Sequence, residues 1–145
     1  MSGFLQKSND IFQPILPKQF DENEYFTLAI SVLVIVCITV LQKKKKVFLT
    51  TEIIAILLLN LLYTTLGDYF LAMKPYDFYD TVDHNSGEIM DILLQNIVYP
   101  FTLLILMYFY ARYKLNSFMY IIFGAMLLCI LEWISVKFFN LFTYK

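Results

Sequence analysis

Charge, glycine, histidine and cysteine are all scarce in this chain. Of its 145 residues only 16% are charged, while glycine occurs 4 times, cysteine 2 times and histidine once. Each scarcity removes a class of chemistry. The lone His84 excludes a histidine-based triad or a multi-histidine metal centre within one chain. Cys37 and Cys129 lie inside apolar runs and form no CxxC pair, so a disulfide framework, a zinc site and a thiol redox centre are unsupported. Both read as small apolar packing residues. HExxH, GxSxG, P-loop and GxGxxG patterns are absent. Small residues are too sparse for a GxxxG dimer face. The basic residues form one run and one pair with no aromatic platform between them, and the net charge is −1, so nucleic acid is not an expected partner. No cofactor is indicated and no residue is assigned as catalytic, which leans away from an enzyme.

Apolar side chains are what the chain has in quantity. It is 59% hydrophobic and 18% aromatic, with a mean hydropathy of +0.64. Soluble domains contain about 45–50% apolar residues, and a chain this short has too little interior to hide the excess. The apolar runs are long enough to cross a bilayer. The expected fold is all-α, an integral membrane bundle of four transmembrane helices forming one domain over 1–145. The spans are expected at about 25–42, 47–73, 92–111 and 115–137, with a loop at 74–91. Residues 1–24, with Pro14, Pro17 and scattered Phe, Leu and Ile, read either as a segment lying on the membrane surface or as a tail. The aromatic stretch Phe138 to Tyr144 suits the interface.

Charge sets the expected orientation in the cell membrane. The short loops at 43–46 and 112–114 hold six of the eleven Lys and Arg residues, and the positive-inside rule assigns them to the cytoplasm. The 74–91 loop and both termini are then non-cytoplasmic. Acids before the first span and lysines after it read as an uncleaved helix rather than a cleavable signal. Lys43 to Lys46 can also contact anionic lipid, though a topology determinant is the simpler reading.

Ionisable groups inside spans face the bundle interior and often mark function. Asp68 in the second span and Glu132 in the fourth qualify, joined by Gln95 and Asn96 in the third. At about 1.5 Å rise per residue all four fall roughly 6–9 Å inside the non-cytoplasmic boundary, in one layer. Asn60, Thr64 and Asp68 share a helical stripe, as do Gln95, Tyr99 and Thr102, and Ala125, Cys129 and Glu132. Pro100 leaves the carbonyl of Asn96 free and is expected to kink the third span. The set Asp68, Gln95, Asn96, Glu132, Asn60, Thr64 and Tyr99 is therefore an intramembrane polar pocket in expectation. It serves either as interhelical glue or as a site for a ligand, ion or proton, and the residues leave both open.

The 74–91 loop gathers Asp77, Asp80, Asp83, His84, Glu88 and Asp91. On a helix, Asp80, His84 and Glu88 would share a face and are weak candidates for a divalent cation. Asn85-Ser86-Gly87 is a turn signal that breaks such a helix, and Asn85 with Glu88 resembles a capping box opening the third span. No metal is assigned, because a solvated acidic loop explains the same residues.

Asp68-Tyr69, Val98-Tyr99-Pro100, Glu132-Trp133 and Phe142-Thr143-Tyr144-Lys145, over about 61–145, resemble a family of small, uncharacterised multi-helix integral membrane proteins from endospore-forming bacteria. The resemblance implies a membrane compartment and a helical architecture, and no reaction. Members of that family run on past the tyrosine-lysine into a further helix, which puts the placement of their C-terminus in doubt. The leading expectation is a non-enzymatic accessory or binding component, with membrane lipid, a membrane-protein partner or a second copy as its contacts. The alternatives are a small oligomeric proton- or cation-coupled transporter subunit, and a membrane-embedded enzyme using Asp68 and Glu132 as acid and base.

Overall fold

The computed structural model describes residues 15–17, 19–82 and 88–145. Within them the chain forms four long helices: α1 Glu22–Lys44, α2 Thr50–Leu71, α3 Ile89–Tyr113 and α4 Ser117–Phe139, each long and apolar enough to cross a membrane. The protein is a multi-pass membrane protein of the all-α class, with four long helices. Its exposed leucines, isoleucines and phenylalanines, such as Leu58, Leu62, Phe70, Ile121 and Phe123, are the surface that lipid solvates.

Local chemistry fixes the helix ends. Asp21 accepts from the Asn23 amide at 3.1 Å while Glu24 Oε2 accepts from the Asp21 amide at 2.7 Å, a reciprocal cap on α1. Glu52 Oε2 accepts from the Leu49 amide at 2.7 Å at the start of α2. Residues 47–49 do not join α2. Gln42 Oε1 takes the Val47 amide at 2.9 Å and holds the turn in extended form. Asn116 caps α4 through its side chain. Asn140 ends α4 with φ 47°, a left-handed conformation that asparagine tolerates well.

The central element is α3. It packs along both α1 and α2, whereas α4 touches α1 and α3 more lightly, and α2 and α4 do not pack closely on each other. No α2 residue is buried. At one end Ile38, Leu104 and Tyr108 form a core cluster. The Tyr108 hydroxyl reaches the carbonyls of Leu41 and Lys45 at 2.9 and 3.1 Å and accepts from Arg112 at 3.1 Å. This places the Lys43–Lys46 turn and the Arg112 turn side by side. At the opposite end Leu94, Val98 and Leu141 form the second cluster.

A two-stranded antiparallel ribbon lies at that second end, which the sequence reading had as a loop and a tail. Strands β1 Tyr79–Thr81 and β2 Phe142–Tyr144 pair Tyr79 with Tyr144, Asp80 with Thr143 and Thr81 with Phe142. The alternation of a strand puts Tyr79 and Thr81 on one face with Phe142 and Tyr144. Lys145 clamps the ribbon, with its Nζ 2.7 Å from Asp77 and 3.0 Å from Asp80 and its amide 2.9 Å from the Phe78 carbonyl.

Among the N-terminal residues, 1–14 and 18 lie outside the described set. Ile15, Leu16 and Phe20 are exposed, and the Ile15 carbonyl accepts from the Ile89 amide at 2.9 Å.

Candidate functional site

Pro100 has no amide hydrogen to give, so an unbroken α-helical ladder cannot run through it. The helix answers with a π turn over Leu94–Val98, in which the Tyr99 amide reaches the Leu94 carbonyl. The extra residue in that turn re-aims the side chains just before the proline. Gln95 thereby points at both α2 and its own first turn. Its Nε2 donates to Asp68 Oδ2 and, at 2.9 Å, to Asp91 Oδ2. Asp68 also accepts from the Tyr79 hydroxyl at 2.5 Å. Glu132 on α4 accepts from the Tyr144 hydroxyl.

The ribbon thus delivers one phenol to each carboxyl. Tyr79 and Tyr144 are register partners with ring centroids 6.4 Å apart, edge to face. Asp68 and Glu132, on helices that do not pack closely together, are joined through them. Tyr99 lines a common space with Asp68, Tyr79 and Glu132.

A cavity of about 490 Å³ lies beneath the ribbon, in the space that α2 and α4 leave between them. Asn60, Thr64, Gly67 and Asp68 line it from α2, Tyr99 and Thr102 from α3, Glu132 and Ser135 from α4, and Tyr79 and Tyr144 from the ribbon. Much of the remaining wall is Leu, Ile, Val and Phe. Thr64 and Ser135 turn their hydroxyls back on carbonyls of their own helices. Asn60 Nδ2 is buried and has no hydrogen-bond partner among the described residues.

Most of the expected pocket residues are therefore brought together: Asn60, Thr64, Asp68, Tyr99 and Glu132 on the cavity, with Gln95 bonded to Asp68. Asn96 is not; it is exposed and does not line the cavity, since neighbouring residues on a helix point about 100° apart. Ala125 and Cys129 are exposed too, and the α4 stripe on the cavity is Leu128, Leu131, Glu132 and Ser135. Glu132 itself is exposed, whereas Asp68 is half-buried.

The divalent-cation candidates fare differently. Asp80 sits on a strand and pairs with Lys145, so it shares no helical face with Glu88. His84, Asp83 and the Asn85-Ser86-Gly87 turn lie outside the described residues. Glu88 is the residue preceding the first turn of α3, so it is not the third helical residue that a box opened by Asn85 requires. Among the described residues no group of three His, Cys, Asp or Glu converges.

Two features escaped the sequence reading. One is the ribbon, whose only signal is the alternation in Tyr79-Asp80-Thr81 and Phe142-Thr143-Tyr144. The other is a buried polar stripe on α1, Asn23, Glu24, Thr27 and Ser31, facing the first turns of α3. Asn23 Oδ1, Glu24 Oε1 and Thr27 Oγ1 there have no hydrogen-bond partner among the described residues. Their i, i+1, i+4, i+8 spacing was the available clue.

Outside the spans, burial and the bond to Asp68 push the Tyr79 phenol up. Burial and the bond to Glu132 push the Tyr144 phenol up to about 12. Hydrogen bonds to Asp77 and Asp80 push the Lys145 ammonium up. Comparison with family models, curated proteins and solved structures gives no match.

Tyr144 yields a pH prediction. A raised folded-state value means that its pairing stabilises the ribbon fully below the ordinary tyrosine value of about 10 and is lost as pH rises through about 12. With a site-specific isotope label on Tyr144, its NMR titration midpoint is expected near 12 and lower in Glu132→Gln, because the neighbouring charge is gone. A midpoint that Glu132→Gln leaves in place contradicts the pairing.

Proposed function

We propose that this protein is a non-enzymatic binding component of the cell membrane whose cavity receives an amphiphilic ligand. One observation carries the reading: a space of about 490 Å³ remains between α2 and α4 at the level of the two carboxyls. Ligand pockets fall in the range of about 300–1,000 Å³ and are mostly apolar with a few placed polar groups. Interhelical glue does not need such a space. The Gln95–Asp68 bond does link α3 to α2, so Asp68 serves the fold as well. Glu132, however, bonds only the ribbon tyrosine among the described residues and stands exposed on the cavity.

The same reading orients the chain. The Lys43–Lys46 and Arg112 turns face the cytoplasm by the positive-inside rule, and the ribbon faces the opposite side. In a Cys37→Ala, Cys129→Ala background, Thr143→Cys in intact cells is expected to react with a membrane-impermeant maleimide, whereas Lys45→Cys reacts only after permeabilisation. The reverse pattern overturns the orientation.

Gly67 offers the direct test of the cavity. A Cβ added there meets nothing within 4 Å, and Gly67 is part of the cavity lining. Gly67→Leu is expected to fold with equal or greater stability, since replacing a helical glycine gains up to about 1 kcal/mol. Native mass spectrometry of the wild type extracted from its own membrane is expected to show a bound species that Gly67→Leu lacks. A wild type that carries none, or a variant that keeps it, overturns the reading.

A further inference from the structure

The charge inventory of the cavity specifies its occupant further. Among the described residues, the lining contains two carboxyl groups, Asp68 and Glu132, and no lysine, arginine or histidine. The nearby cations are engaged elsewhere. Lys145 is held by Asp77 and Asp80, and the Lys137 ammonium lies 4.8 Å from the Trp133 ring centre and 5.9 Å from that of Phe138. Among the described residues, the side-chain donors that bond the two carboxyls are the phenols of Tyr79 and Tyr144 and the amide of Gln95, all neutral, and the unpaired Asn60 Nδ2 on the same lining is neutral too. An ionised carboxylate offers about four lone-pair sites, so each acid retains capacity. Glu132 Oε2 takes no hydrogen bond among the described residues.

Aromatic side chains complete the pattern. Phe26, Tyr79, Tyr99, Phe142 and Tyr144 all line the same space. Ring faces attract cations, most strongly where water is excluded, and aromatic cages are a recurring way of holding quaternary ammonium groups. A carboxylate in an apolar layer without a counter-charge is costly, and a bound organic cation supplies one. An anionic headgroup would instead meet two acids and no base.

We propose that the cavity selects an organic ammonium, seated between Asp68 and Glu132 against the ribbon tyrosines, with any apolar body lying along the leucine wall. This rests on the cavity being a binding site, as proposed above. The ammonium belongs either to an aminolipid headgroup or to a free small molecule, and the chemistry that recognises the two is the same.

The test uses the full chain in a neutral maltoside detergent at constant ionic strength, with thermal unfolding and native mass spectrometry as readouts. Dodecyltrimethylammonium is compared with an uncharged and an anionic amphiphile of the same chain length. The cation is expected to raise the melting temperature and bind about tenfold or more tightly than the uncharged analogue. Asp68→Asn with Glu132→Gln is expected to erase that preference while leaving uncharged binding in place. Glu132→Gln alone keeps an acceptor for Tyr144 and serves if the double variant does not fold.

Two further arms assign the source. Protection by tetramethylammonium alone identifies a free small molecule. Protection by phosphatidylethanolamine or phosphatidylcholine, without an effect of tetramethylammonium, identifies a lipid. Equal binding of charged and uncharged amphiphiles, each blocked by Gly67→Leu, overturns the charge inference and leaves the cavity reading standing. No binding of any amphiphile overturns both.

Discussion

Two phenol-to-carboxyl hydrogen bonds, Tyr79 to Asp68 and Tyr144 to Glu132, join the ribbon to the helices beneath it. A carboxyl group in a hydrocarbon layer needs partners, and neither α2 nor α4 provides one from its own side chains. The ribbon does, because a single cross-strand pair places two tyrosines side by side. Their bonds connect the two helices that do not otherwise pack closely on each other. The cavity follows from the same arrangement. A ribbon that spans the gap between α2 and α4 closes it at one end without filling it.

The central position of α3 is a second consequence of few, well-placed residues. Pro100 and the π turn before it aim Gln95 at Asp68 and Asp91. Tyr108, near the other end of the same helix, gathers the carbonyls of Leu41 and Lys45 and the Arg112 guanidinium. One helix therefore organises polar contacts at both ends of the bundle, with apolar packing between them. The remaining helix surfaces carry leucine, isoleucine and phenylalanine outward, where a bilayer replaces protein as the neighbour.

Much of the fold is legible in the sequence because hydrocarbon thickness imposes a length that apolar runs must meet. The four spans stand out for that reason. Their ends are less legible, since Gln42 and Asn140 act through side-chain and backbone geometry that composition does not show. The stripe Asn60, Thr64 and Asp68 is readable from helical spacing alone. Asn96 joins the expected pocket by depth alone, and depth does not set the face: it sits next to Gln95 but off the stripe of Gln95, Tyr99 and Thr102, and it is exposed. The ribbon is hidden for a different reason. Its strands hold three residues each and are separated by two helices, so no local pattern announces their pairing. The buried stripe on α1 shows a third kind of concealment: Glu24 reads as an acid before the span, but the fold buries it completely.

A double-mutant cycle on the unfolding free energy, combining Tyr79→Phe with Asp68→Ala, tests the anchoring bond most directly. A coupling of about 0.5–2 kcal/mol is expected, in line with side-chain hydrogen bonds between membrane helices. Effects that add within about 0.3 kcal/mol would mean that the ribbon does not hold the carboxyl, and the cavity would lose the bond that ties the ribbon over it.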